Sequence, residues 1–187
     1  MPGTVGDTVS NTVSRRLGLA TRAIYEIRAV VEDRRADSLV GIQVALTLWE
    51  QTVIPSLLYG SEVWGVVPKK TMDQLVKIND QFLKSILGIG KFGCPLVALY
   101  LETGTPTMNN RVLHSQLLFY HHVATLSDDS LAKMFLKAQH QNKNLPSIFR
   151  QCEKVLEEWG IDNVHEYSKP QWSRFMKSKM MGKNLMI

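Results

Sequence analysis

The chain has 187 residues, 44% hydrophobic and 21% charged, the balance of an ordinary folded domain with apolar material enough for a sizeable core. Its two cysteines, Cys94 and Cys152, lie far apart without metal-type spacing; this argues against a disulfide framework and fits a reducing, intracellular setting, nucleus or cytoplasm. Residues 1–18 lack the apolar run of a signal peptide, and no stretch reaches the roughly 18 apolar residues of a membrane span, so no membrane partner is expected.

The formal charge of +5 is unevenly placed. All 17 acidic residues lie between Asp7 and Glu166 and are matched in number by the Lys and Arg of residues 1–168. The excess comes from Lys169, Arg174, Lys177, Lys179 and Lys183. A basic end of this kind is attracted to nucleic acid or an anionic surface; a solvated, frayed end is the plain alternative.

The pattern predicts an all-α chain. Val9, Val13, Leu17, Ala20, Ile24, Ile27 and Val31 recur at steps of three and four, one apolar stripe on a long first helix. Arg15 and Arg22 fall on its opposite face, while Arg28, Arg34 and Arg35 are interleaved with acids and read as solvated surface. A second helix starts after Asp37 or Ser38, with Leu39, Ile42, Leu46, Trp49 and Val53 as its stripe. Pro55 lacks an amide hydrogen and disfavours helical geometry in the residue before it, so a kink or boundary is expected there. Gly60 and Gly65 mark a turn.

The third helix follows Pro68 and runs to about Leu87, with Met72, Leu75, Asn79, Phe82 and Ile86 inward. Lys70, Lys77 and Lys84 repeat at seven, and Gln74 and Gln81 fall between them on the same face. Such a ladder can follow a phosphate backbone, the lysines neutralising phosphates and the amides hydrogen-bonding sugars or base edges. The alternative is a solvated face stabilised by the i,i+4 pairs Asp73–Lys77 and Asp80–Lys84. Further helices are expected over about 95–101, 109–126, 130–140 and 147–159, the last with Ile148, Cys152, Val155 or Leu156, and Trp159 inward and Gly160 as terminator. Residues 161–187 are weakly patterned, with one short helix after Pro170.

Tyr59 and Trp64 flank a glycine turn where aromatic rings could stack on bases, but burial in the core is the stronger reading for both. His114 and His121 share a helix face, yet a zinc site needs two further ligands that the sequence does not supply. Asp128-Asp129 follows Leu126-Ser127 in a helical context, so helix capping accounts for it better than the paired aspartates of a polymerase.

Several strings carry a family resemblance: Ser14-Arg15-Arg16-Leu17-Gly18-Leu19-Ala20; Tyr59-Gly60-Ser61-Glu62-Val63-Trp64, with Pro55 four residues before it; Ile86-Leu87-Gly88; and Leu101-Glu102-Thr103-Gly104. Over roughly residues 5–125 the chain resembles the region just after the polymerase core in reverse transcriptases of non-LTR (LINE-type) retrotransposons. The resemblance implies a multi-helix, thumb-like bundle over residues 5–103, a helical linker region over 104–168 and a basic tail over 169–187. It implies an RNA-directed DNA polymerase as parent, with magnesium required only by the polymerase core, which this chain lacks. No cofactor is therefore expected in this chain. It lacks the fingers, the palm, an endonuclease and a cysteine-histidine knuckle, and is expected to be non-catalytic alone. The implied partners are RNA or an RNA–DNA hybrid and the upstream polymerase core. The contact residues expected are Lys70, Gln74, Lys77, Gln81 and Lys84, then Arg15 and Arg22, then Lys169, Arg174 and Lys177. A helical protein-interaction module and an inert retroelement remnant are the rival readings.

Overall fold

A computed structural model describes residues 5–32, 39–89, 95–141 and 147–183. These residues are predominantly helical, and there is no strand among them. The chain divides into two compact units, one formed by residues 1–59 and 67–108, the other by residues 60–66 and 109–187. The short loop 60–66 thus groups with residues 109–187 and not with its chain neighbours.

In the first unit, α1 (Val5–Glu32) buries Val9, Val13, Ala20, Ile24 and Ile27, five positions of its predicted stripe. α2 (Leu39–Leu48) continues through a π-helical turn, Trp49–Val53, into the short α3 (Ile54–Leu57). Pro55 therefore sits inside continuous helical backbone. The residue before it, Ile54, keeps right-handed helical angles of φ −58° and ψ −47°, against the expected departure from helix. The widened turn supplies the reason: Ile54 N–H reaches back to Trp49 O, and a fifth residue in the turn makes room for a ring that would otherwise press on the carbonyl four residues earlier.

α4 (Lys69–Ile86) starts on Pro68, which serves as the residue preceding the helix; its carbonyl accepts from Thr71 N and Met72 N at 2.9 and 3.0 Å. α5 (Leu96–Thr103) ends on Gly104, at φ 63°. The core of this unit centres on Trp49, fully buried and stacked on Phe82 with centroids 4.1 Å apart and planes within 8°. A polar chain runs beside it. The Trp49 indole donates to Asn79 Oδ1 (3.0 Å), Asn79 Nδ2 donates to Tyr100 Oη (3.2 Å), and Tyr100 donates to Asp80 Oδ1 (2.6 Å). The inward face of α4 is thus Leu75, Ile78, Asn79, Asp80, Phe82 and Leu83, with Met72 and Ile86 at its half-buried edges.

The second unit holds α6 (Met108–Ala124, of which Met108 belongs to the first unit), α7 (Leu131–Gln141), α8 (Ile148–Glu158) and α9 (Lys169–Lys183). Ser147 caps α8, its hydroxyl accepting from Phe149 N at 3.2 Å. Gly160, at φ 69°, closes α8 while Ile161 N bonds back to Leu156 O at 2.9 Å. Residues 169–183 are a full helix where the sequence suggests a weakly patterned tail. Trp172 and Met176, one turn apart on α9, are completely buried in a core shared with Leu117, Cys152, Leu156 and Val164. The Trp172 indole donates to Leu117 O (3.1 Å) and stacks on His121 at 4.9 Å. α7 buries no residue.

Candidate nucleic-acid interface

On α4 the predicted ladder is present as a single face. Lys70, Gln74, Lys77 and Gln81 are exposed and Lys84 is half-buried, opposite Leu75, Asn79 and Phe82, which are not exposed at all. At 1.5 Å per residue the three lysines stand about 10.5 Å apart along the axis. The face has an acidic border: Lys77, Gln81 and Lys84 share an open surface depression with Asp73, Val76 and Asp80. Asp80 does not act as the expected surface partner of Lys84. It is turned inward to accept the Tyr100 hydroxyl. Burial raises its carboxyl above the ordinary value, against the opposing pull of the Tyr100 hydrogen bond and the Lys84 charge. An anionic ligand on this face therefore meets one border carboxylate, Asp73, in full view, and one held within the fold.

The remaining cations of the first unit divide. Arg15 is exposed on the outer face of α1. Arg22 is also exposed, but its Nε lies 2.8 Å from Glu26 Oε1, so its charge is locally compensated and such an exposed pair contributes little to stability. In the second unit, Lys169, Arg174 and Lys177 are exposed on α9. They belong to a different unit from the ladder.

The two aromatic residues of the glycine turn part company. Trp64 is buried as expected. Gly60 adopts φ 77°, and a Cβ there would lie 3.7 Å from Trp64 Nε1, so a side chain at Gly60 is disfavoured by backbone conformation while the space itself is open enough. Gln116 of α6 fastens this loop, donating to Gly65 O at 3.0 Å and Ser61 O at 3.5 Å. Tyr59 contradicts the core reading: it is 75% exposed. The guanidinium of Arg16 stands 5.6 Å from its ring centroid, and Arg16 Nη1 donates to Tyr59 O at 2.6 Å and Leu57 O at 3.4 Å. The sequence reading missed Arg16. The available signal was its place between Arg15 and Leu17, on the border of the apolar stripe and not opposite it.

His121 donates to Tyr167 O at 2.9 Å, so Nε2 carries the proton, a carbonyl being able only to accept. His114 is pushed down by burial and, secondarily, by Lys177. Among the described residues no three His, Cys, Asp or Glu side chains converge as metal ligands. Cys152 is buried and its thiol is pushed up to about 12, first by desolvation and then by Glu153; such a thiol is unreactive at neutral pH. Cys94 lies outside the described residues. Asp128 is no cap. Its Oδ1 receives Lys137 and Lys133 at 3.0 and 3.1 Å, which hold its carboxyl below the usual range, and Lys133 also donates to Leu126 O at 2.8 Å. Lysine side chains that can reach back across the turn compete with the backbone amides for this carboxylate.

Comparison with protein-family models, with curated proteins and with solved structures finds no match to this chain.

Proposed function

We propose that the first unit binds the sugar–phosphate backbone of RNA or an RNA–DNA hybrid without sequence preference, as a thumb-like piece of a retrotransposon reverse transcriptase that lacks the catalytic palm. The observation that carries this reading is the α4 face: Lys70, Gln74, Lys77, Gln81 and Lys84 in one line, opposite a buried apolar face. Each lysine neutralises a phosphate, and the glutamines offer neutral hydrogen bonds between them. Arg15 is an accessory contact. Arg22 is a weaker one because Glu26 already occupies it. Lys169, Arg174 and Lys177 form a separate, secondary cationic surface on α9. The chain supplies grip and no chemistry; an upstream polymerase core is its proposed partner.

The test is fluorescence anisotropy with an RNA–DNA hybrid across a salt series, on the wild type and on a variant with Lys70, Lys77 and Lys84 all changed to Gln. Binding by the wild type should fall steeply with salt. The variant's log–log slope should be shallower by about two to three. Equal affinity of the two proteins overturns the reading.

A second reading has its own observation. On α7, Leu131, Met134 and Phe135 are 82%, 53% and 59% exposed at helical spacing. This apolar line favours a helical protein-interaction module. Sedimentation of the wild type beside a Leu131→Gln/Phe135→Gln variant tests it: self-association lost in the variant supports the module, and a monomer in both removes that form of it.

A further inference from the structure

Tyr59 has a geometry that neither the polymerase resemblance nor the lysine ladder calls for. The residue is three-quarters exposed just after α3, while Trp49, Phe82 and Tyr100 of the same unit are buried. An exposed ring normally samples several rotamers. This one has a cation against one face, Arg16, whose guanidinium is itself tied to the carbonyls of Leu57 and Tyr59. Arg16 thus bonds the backbone that carries the ring and also braces the ring from behind, which reduces the ordering entropy that a ligand would have to supply.

The bracing also selects the ligand. A cation on one face of a phenol draws on the negative quadrupole of that ring. The outward face is then a poorer host for a second cation, such as a lysine, arginine or quaternary ammonium group. A neutral, flat, polarisable ring suffers no such penalty and gains stacking area. In a nucleic acid such a ring is available only where a base is unpaired, because in a duplex both faces of each base are already stacked on neighbours.

We propose that Tyr59 is a stacking platform for an unpaired base of a single-stranded nucleic acid, with Arg16 as its positioning residue. The proposal rests on the reading of the first unit as a backbone-binding surface and adds to it the strand state of the ligand at this point.

The experiment measures anisotropy binding of the full chain to three labelled probes of equal length: an unstructured oligouridine, the same strand with abasic sites, and an RNA–DNA hybrid. Base stacking on an aromatic side chain contributes about 1–3 kcal/mol, so Tyr59→Ala should weaken oligouridine binding by about 5- to 150-fold. The abasic strand and the hybrid should bind Tyr59→Ala as they bind the wild type, and Tyr59→Phe should bind oligouridine normally. Equal losses on oligouridine and on the abasic strand, or on the hybrid, overturn the platform. So does an unchanged oligouridine affinity in Tyr59→Ala while the Lys70/Lys77/Lys84→Gln variant loses binding; in that case the backbone-binding reading survives alone. If the wild type binds none of the probes, both readings fail together.

Discussion

Each unit is organised around one fully buried tryptophan, and the two solve the same problem differently. A buried indole N–H needs an acceptor. Trp49 takes a side-chain acceptor, Asn79 Oδ1, which is one member of a chain continuing to Tyr100 and Asp80. Trp172 takes a backbone acceptor, Leu117 O, and surrounds itself with rings: His121 stacked at 4.9 Å and Tyr167 edge-on at 5.5 Å. The first arrangement depends on three further side chains having the right identity. The second depends on the course of α6. A buried polar chain specifies a core more narrowly than an apolar one, and it is also more fragile, since each member left alone is a desolvated group without a partner.

The largest expected effect tests whether both tryptophans are central. Trp49→Ala and Trp172→Ala should each cost about 3–5 kcal/mol, measured by denaturant unfolding followed by far-ultraviolet circular dichroism. A loss under about 1 kcal/mol at either site would remove that residue from its central place.

The comparison sharpens with a smaller change. Trp49→Phe leaves Asn79 Oδ1 buried without its donor, whereas Trp172→Phe leaves only a carbonyl that sits within a helix. The first should cost about 1–2 kcal/mol more than the second. Equal costs would mean that the side-chain chain beside Trp49 relaxes freely.

A third effect separates the units by pH. Asp80 is the titrating end of the polar chain, and burial raises its carboxyl from the ordinary 3.8. A carboxyl raised in the folded state binds protons more readily there than in the unfolded chain. Its contribution to stability is therefore fully present below the unfolded value and is lost as pH rises through the folded one. Asp80→Asn retains an oxygen to accept the Tyr100 hydroxyl and cannot ionise. It should be the more stable protein at pH 7, with the advantage vanishing below about pH 4. A wild type that gains on the Asn variant as pH rises would show that the Tyr100 hydrogen bond and Lys84 outweigh desolvation.

The smallest effect lies on α7, which takes no part in either core. Phe135→Gln should change stability by no more than about 0.5 kcal/mol, although the residue removed is a large aromatic one. A loss beyond about 1.5 kcal/mol would mean that this residue, 59% exposed, is packed more heavily than that exposure implies.

Periodicity made the long helices legible. The stripes of α1 and α8 and the inward face of α4 follow from apolar residues repeating every three or four positions, a signal that is local in sequence. The lysine ladder was legible for the same reason, because one helix carries all of it. α9 was not: its fully buried residues are Trp172 and Met176, with Phe175 packed beside them, Pro170 stands at its start, and the burial of so short a cluster depends on α6 and α8. Tyr59 and Trp64 were indistinguishable as letters. One enters a core and the other is braced by a residue 43 positions away, a contact that no local pattern encodes. Asp128 was read as a cap because its position suited one, and lysines five and nine residues later took the carboxylate instead.

The π-helical turn before Pro55 holds a surplus residue, in the sense that an α-helix of the same length would need one fewer between Trp49 and Ile54. Insertion and proline are therefore a matched pair. Deleting Gln51 alone would return this stretch to a plain α-helix, keeping Trp49 and Leu57 in phase but bringing the pyrrolidine ring against a carbonyl. Replacing Pro55 alone would leave the extra residue with nothing to accommodate. This helix can shorten by one codon without loss of the core only where the proline goes with it, which ties the tolerance of the gene to small deletions here to a single five-membered ring.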